Sequence, residues 1–140
     1  MKEFNSIEEL KPYYVEEMNT YVFEEEVKFN FNLIVSSNIV AEGINALDIK
    51  AFDIKAWNIK ALDIKALDIR ALNIEANNIE YYAFCIAYRS LVCESIEGRR
   101  HNSIHRCLDN DIVIRKPKQK VTLELTEEQF DKLKQLLGIT

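Results

Sequence analysis

Residues 38–80 decide the fold, and they read NIVAEGINALDIKAFDIKAWNIKALDIKALDIRALNIEANNIE. The stretch is an uninterrupted repeat of five residues. Isoleucine recurs at every fifth position from Ile39 to Ile79, and alanine follows two places later from Ala41 to Ala76. Asp, Asn or Gly precedes each isoleucine. A repeat this regular indicates one structural unit copied many times along the chain.

A period of five fits neither of the two common secondary structures. An α-helix would spread the isoleucines around its circumference, and a strand would point them alternately to both faces. The pattern instead predicts a chain that turns a corner every five residues and stacks coil upon coil, with Ile and Ala inside. Asp and Asn side chains suit the corners, because they bond to nearby backbone amides and tolerate turns. Stacking then builds a core that no single repeat could form.

The step from Asp or Asn to an aliphatic residue recurs in six consecutive repeats: Asp48–Ile49, Asp53–Ile54, Asn58–Ile59, Asp63–Ile64, Asp68–Ile69 and Asn73–Ile74. These residues resemble the pentapeptide-repeat family, whose motif is a small residue, Asp or Asn, Leu or Phe, and two variable positions. In this chain the constant small residue lies two places after the aliphatic residue and not two before it. We therefore take Ile and Ala as the inward pair.

The resemblance implies a mainly β fold, a right-handed quadrilateral β-solenoid with four sides and about twenty residues per coil. The expected organisation is one compact unit with three parts. These are an N-terminal helix and strand cap over residues 1–33, a solenoid of about three coils over 34–98, and a basic loop with a C-terminal strand-helix cap over 99–140. Coils of twenty residues would stack Asn38, Asn58 and Asn78 as an asparagine ladder. They would also align three charged pairs: Lys55 with Glu75, Lys60 with Glu80, and Lys50 with Arg70.

The repeat frame slips by two residues after Ile79 and then continues to Gly98. We expect a bulge near Glu80. Tyr81–Cys85 is the first of the slipped repeats, and each later one again alternates large and small residues.

The N-terminal segment contains the signals of short helices followed by a strand. Ser6–Glu9 reads as a capping box, and Pro12 suits the first turn of a second short helix that ends near Asn19. From Val27 to Val35 apolar residues alternate with polar ones, which is typical of a strand.

The C-terminal segment predicts two strands, at 111–115 and 121–125, and then a helix. Thr126–Gln129 reads as its capping box, and one face of the helix carries Phe130, Leu133, Leu136 and Leu137. This helix either covers the last coil or serves as a dimerisation helix.

Charge is uneven along the 140 residues, whose net charge is −5. Residues 1–33 carry eight Glu against three Lys, whereas residues 99–140 carry nine bases against six acids. Three cysteines without Cys-x-x-Cys spacing indicate small buried thiols in a reducing cytoplasm. The acidic start is unlike a secretory leader, and no apolar run approaches the roughly 18 residues of a membrane span. We expect a soluble cytoplasmic protein.

Two surface features are candidate binding sites. The outward position before each Asp or Asn predicts an exposed apolar strip for a protein partner: Leu47, Phe52, Trp57, Leu62, Leu67 and Leu72. The segment after the repeat predicts a basic patch: Arg99, Arg100, Arg106, Arg115, Lys116, Lys118 and Lys120. Such a patch either binds phosphates, contacts an acidic protein or the protein's own acidic N-terminal segment, or is a solvated loop.

Catalytic and metal chemistry are not expected. The acids form a column at corners instead of converging, and no phosphate loop or nucleophile elbow is present. One polar loop holds potential metal ligands, but their spacing matches no closed zinc pattern: His101, His105, Cys107, Asp109 and Asp111. We expect no cofactor and no metal.

The sequence therefore predicts a non-enzymatic protein–protein binding module. Some pentapeptide-repeat proteins mimic DNA, and the short solenoid with its Lys, Ile and Asn-rich style resembles small bacteriophage proteins. That resemblance implies inhibition of a host DNA-handling or defence complex. Two alternatives stay open: a self-associating structural protein, including a homodimer, and a nucleic-acid-binding protein that uses the basic segment.

Overall fold

The computed structural model describes residues 1–116 and 126–136. The fold is mainly β, with parallel strands stacked into a β-solenoid of about six turns and few helices. The strands in chain order are β1 Lys2–Phe4, β2 Tyr14–Val15, β3 Thr20–Val22, β4 Glu26–Phe29, β5 Leu33–Ile34, β6 Asn38–Asn45, β7 Asp48–Lys50, β8 Asp53–Lys60, β9 Asp63–Glu75, β10 Asn78–Cys93, β11 Ser95–Gly98, β12 Ile104–Cys107 and β13 Val113–Ile114. Two 3-10 helices, Ile7–Tyr13 and Glu16–Met18, and one α-helix, α1 Glu127–Leu136, complete the described elements.

The strand register shows how many residues make one turn. Ile39 pairs with Ile54, which pairs with Ile69, so one turn of the repeat takes fifteen residues. Each turn therefore has three sides of five residues, and the predicted four-sided coil of about twenty residues is wrong. The prediction of about three coils fails for the same reason. A five-residue repeat fixes the length of a side, but the bend at each corner decides how many sides close a turn.

The predicted inward pair is confirmed. Every repeat isoleucine from Ile39 to Ile79 is at most 3% exposed, and every repeat alanine from Ala41 to Ala76 is at most 8% exposed. Each turn thus places three isoleucines and three alanines in a narrow triangular interior. Every side thus contributes one large and one small side chain to the buried core.

The three sides of the solenoid are named here by the residues that form them. The first face comprises residues 38–41, 53–56, 68–71, 84–87 and 104–107. The second face comprises residues 43–46, 58–61, 73–76 and 90–93. The third face comprises residues 48–51, 63–66, 78–81 and 95–98. The first corner follows the first face, the second corner follows the second face, and the third corner follows the third face.

The frame slips by two residues in all, but the bulge expected near Glu80 is wrong, because Glu80 stays in register with Lys65 and the slip is divided between two later corners. The register shifts once between Tyr81 and Phe84 and again between Ala87 and Ser90. Cys85 then takes an isoleucine position on the first face and is fully buried. An insertion at a corner lengthens the turn without removing inward side chains from the core.

Side-chain ladders run along the first residues of the second and third faces, from each turn to the next. The amide of Asn73 donates to Oδ1 of Asn58 at 2.7 Å, and the Ser90 hydroxyl donates to Oδ1 of Asn73 at 2.9 Å. A second ladder joins Asp63 to the Asn78 amide at 2.9 Å. The predicted ladder at twenty-residue spacing is wrong, because its three asparagines lie on three different faces.

The predicted charge pairs are wrong for the same reason. Lys60 lies beside Glu75, Lys65 lies 3.9 Å from Glu80, and Lys55 lies beside Arg70. Like charges therefore stack along the axis on part of the surface.

The N-terminal segment packs aromatic residues at its end of the stack. Phe4, Phe23 and Phe29 are buried with ring centroids 5.5–5.9 Å apart, and Leu10 of the first 3-10 helix is fully buried beside them. The strand predicted over 27–35 is divided into β4 and β5, since the chain turns a corner between them.

The predicted N-terminal capping box does not form. The Ser6 side chain makes no capping bond, and the Glu9 carboxylate accepts from the backbone amide of Asn5 at 2.9 Å. Pro12 lies inside the 3-10 helix Ile7–Tyr13 and does not begin a second helix.

The C-terminal strands join the stack, and the predicted helix is confirmed. β12 and β13 both pair in parallel with β10. The capping box at α1 forms: the Thr126 amide donates to Oε1 of Gln129 at 3.1 Å, and the Gln129 amide donates to the Thr126 hydroxyl at 3.2 Å. Leu136 is 84% exposed, so it packs on no described coil. The strand predicted at 121–125 and Leu137 lie outside the described residues.

Among the described helices, none combines the length and the apolar character needed to cross a membrane.

Candidate protein-binding surface

The predicted apolar residues are exposed, apart from half-buried Leu72, but they do not form one strip. Positions five residues apart lie at successive corners of a three-sided coil. Leu47 and Leu62 therefore lie at the second corner, whereas Phe52 lies at the third corner and Trp57 at the first. The prediction of a single strip is wrong because one side takes five residues, so residues five apart lie at different corners whether the coil has three sides or four.

The first corner carries an apolar column over four successive turns: Trp57, Leu72, Tyr88 and Leu108. Trp57 is 66% exposed, Tyr88 is 45% exposed and Leu108 is 50% exposed. The Leu108 amide donates to the Ala87 carbonyl at 3.0 Å, which places Leu108 one turn beyond Tyr88. With turns about 4.8 Å apart, the column extends for about 14 Å.

The third corner carries a second apolar column on the other edge of the first face: Phe52, Leu67 and Tyr82. All three are exposed. The Leu67 amide donates to the Phe52 carbonyl at 2.8 Å, and the Arg100 amide donates to the Tyr82 carbonyl at 2.9 Å. The first face is thus bordered by apolar side chains on both sides.

The first face itself presents two charged columns side by side. Asp53 pairs in register with Asp68, and Lys55 pairs in register with Arg70. The acid and the base of each turn are two residues apart, so both point outward. Acids therefore stack along one line and bases along a parallel line.

The next turns of the first face are more apolar. Phe84 follows Asp68 in the acidic column, and Ile86 follows Arg70 in the basic column. The Arg70 guanidinium lies 5.0 Å from the centre of the Phe84 ring, a cation–π arrangement. The last described turn adds exposed Ile104 and Arg106.

The charged groups of this face have few partners of their own. In the described part of the chain, Asp53, Asp68, Lys55 and Arg70 form no ion pair. Burial raises the pKa of Asp53, and the neighbouring Asp68 carboxylate raises it further, while a hydrogen bond from the Asp68 backbone amide and the charge of Arg70 lower it. The Asp68 carboxylate accepts from the Phe84 amide at 3.2 Å.

Some charges of the other two faces are paired within the chain. On the third face Glu80 lies 3.9 Å from Lys65 and 3.2 Å from Arg99. Near the second face Arg115 lies 3.4 Å from Glu75 and donates to the Ala76 carbonyl at 3.0 Å.

The predicted basic patch is spread around the solenoid. Arg99 bonds to the third face, Arg106 lies on the first face, and Arg115 bonds to the second. Arg100 and Lys116 are exposed. Lys118 and Lys120 lie outside the described residues.

The predicted thiols and metal-ligand candidates occupy separate places. Cys85 and Cys93 are buried and Cys107 is half-buried, and all three are free. Burial raises the pKa of the Cys85 thiol to about 12. His105 Nδ1 lies 2.7 Å from the Tyr81 hydroxyl. Over residues 1–116 and 126–136, no three His, Cys, Asp or Glu side chains converge as a metal site.

Comparison of the chain with protein-family models, with curated proteins and with solved structures finds no match.

Sequence reasoning missed Tyr82, Tyr88 and Leu108, because all three follow the frame slip. A signal for two of them was present: a large apolar residue comes directly after the small inward residue in Ala87–Tyr88 and Cys107–Leu108, as it does in Ala56–Trp57.

Proposed function

We propose that the protein is a non-enzymatic protein-binding module and that it binds through the first face and its two apolar corners. The observation that carries the proposal is the apolar column at the first corner. Three of the four turns expose a large apolar residue there and Leu72 is half-buried, although the buried core is formed by other residues. Contiguous exposed apolar surface bordered by polar residues is typical of interaction sites.

The residue types on this surface support binding. Trp57, Tyr88 and Arg70 belong to the three types that contribute most often to the affinity of protein interfaces. The solenoid also fixes the backbone that carries them, because each lies next to a buried strand position. Little backbone entropy is therefore lost when a partner binds.

Two alternatives receive less support from the geometry. Mimicry of DNA needs a continuous anionic surface, but a basic column accompanies the acidic column on the first face. Nucleic-acid binding through the basic segment needs converging cations, but Arg99, Arg106 and Arg115 extend from three faces, and two of them already bind carboxylates.

The proposal includes finer features of the fold. We propose that the chain is a variant of the pentapeptide-repeat family with the small residue displaced, and that it winds in a right-handed sense, as connections between parallel strands almost always do. The buried Leu10 and its aromatic neighbours support an N-terminal cap. The free thiols support a reducing, cytoplasmic location.

Affinity capture from a bacterial lysate tests the proposal. Immobilised wild-type protein is compared with Trp57→Asp and with Leu47→Asp, which changes an exposed apolar residue at another corner. We expect Trp57→Asp to lose a bound protein that Leu47→Asp retains. Arg99→Ala with Arg100→Ala serves as a second control for the basic segment. Retention of the same proteins by Trp57→Asp would refute the proposal.

A further inference from the structure

We propose that the partner of this surface is a second copy of the chain, packed first face against first face with the two solenoid axes parallel. The inference rests on the proposed function, because it identifies the partner of the same surface. A two-fold axis that runs parallel to the solenoid axes relates the two copies, so each surface meets itself.

The charged columns are self-complementary in this arrangement. Rotation about such an axis exchanges left and right on the face but keeps each turn at its own level. Asp53 of one copy therefore lies opposite Lys55 of the other, and Asp68 lies opposite Arg70. Two turns supply four intermolecular ion pairs from groups that have no ion-pair partner within the described part of their own chain.

The opposite orientation is unfavourable. If the two axes were antiparallel, the two-fold axis would run along the strands and would leave each column facing itself. Asp53 would then lie opposite Asp68, and Lys55 opposite Arg70, because left and right are no longer exchanged. Like charges directly opposed at an interface disfavour association strongly. The charges alone therefore select the parallel dimer.

The apolar residues support the same orientation. On the next turn Phe84 of one copy lies opposite Ile86 of the other, so apolar groups meet on the turn that follows the four ion pairs. The apolar columns at the edges of the first face also meet across the interface, because the column of the first corner lies beside the partner's column of the third corner. Trp57 is brought next to Phe52, and Tyr88 next to Tyr82, by the same rotation.

The third face carries a similar pattern but is less suited to this role. Asp48 with Lys50 and Asp63 with Lys65 repeat the two columns there. However, Lys65 already lies 3.9 Å from Glu80 within the chain, and the next turns are polar. This face therefore serves as a matched control.

The area of the first face sets the expected affinity of the dimer. Five residues across and five turns high correspond to about 16 Å by about 19 Å, or about 300 Å² in projection. Stable interfaces remove about 800 Å² of accessible surface from each partner. We therefore expect a reversible dimer with a dissociation constant in the micromolar range, which weakens as salt screens the ion pairs.

Sedimentation velocity of the full chain from about 1 to about 200 μM tests the inference. Wild type is expected to shift from monomer to dimer. Lys55→Asp is expected to weaken the dimer about tenfold or more, because it places acids opposite acids. Asp53→Lys is expected to do the same, and the double variant that exchanges both residues is expected to restore the dimer. Lys50→Asp, the same change on the third face, is expected to leave the dimer unchanged.

Each other outcome overturns the inference. A wild-type monomer over the whole range excludes the dimer, as does a dimer that Lys55→Asp leaves intact. A double variant that stays as weak as the single variants contradicts the parallel pairing. A folded circular dichroism spectrum for each variant separates these results from unfolding. If the wild type is monomeric but Trp57→Asp still loses a captured protein, the proposed function stands and only the identity of the partner is wrong.

Discussion

Replacement of Ile64 by alanine tests the inward assignment on which the whole solenoid depends. Ile64 is 1% exposed and lies on the third face between Ile49 and Ile79, which are equally buried. The substitution leaves the first face and its corners untouched. Its effect therefore reports on the core and not on the binding surface.

The expected loss of folding stability follows from the side-chain volume removed and from the stiffness of the surrounding turns. Three carbon atoms leave the core, which corresponds to about 2.4 kcal/mol at about 0.8 kcal/mol for each buried methylene. The stacked turns above and below are held by backbone hydrogen bonds, so the cavity cannot collapse and adds a further cost. We expect the free energy of unfolding to fall by about 3–4 kcal/mol and the Tm to fall by about 10 °C.

Urea unfolding followed by far-UV circular dichroism measures this loss, with Leu62→Ala as the matched control. Leu62 lies two residues earlier at the second corner and is exposed, so its truncation should cost less than about 1 kcal/mol. Fluorescence of Trp57, the only tryptophan, should give the same midpoint as circular dichroism if unfolding is two-state. An equal or larger loss for Leu62→Ala would refute the inward assignment of isoleucine.

Three further predictions concern single residues. The pKa of Asp53 is raised in the fold, so ionisation of this carboxyl disfavours the folded state as pH rises through and above the ordinary carboxyl range. Asp53→Asn should therefore leave stability at pH 7 equal or slightly higher, and thermal melts from pH 3 to pH 8 should show a smaller dependence of stability on pH in the carboxyl range. Gly98→Ala should lower stability by about 1–3 kcal/mol, since an added Cβ would clash with the Ser103 side chain and lie 2.8 Å from Cζ of Tyr81. An unchanged urea midpoint would contradict the tight packing of that turn. Cys85, with a pKa of about 12, should resist iodoacetamide in the folded protein and react on unfolding, and mass spectrometry showing rapid native alkylation would disprove its burial.

The sequence alone predicted the inside of the fold because that information is local. Alternation along a short extended segment decides which side chains share one side of the backbone, so the period of Ile and Ala identified the core before any coil was closed. The capping box at Thr126 is local in the same way, since its two hydrogen bonds join residues three apart. Ser6 shows the limit of such signals, because the 3-10 geometry of its helix leaves the hydroxyl without a capping bond.

Only the tertiary structure decided the number of sides in each turn. That number determines which residues are neighbours along the solenoid axis. A bend repeated every five residues closes after three sides or four according to its angle, and the residue types at the corners permit both. Three sides divided the expected strip among three corners, and they brought Tyr88 and Leu108 into line with Trp57. The binding surface is therefore a product of stacking, because its residues lie about one turn apart in space but fifteen or more apart in the chain.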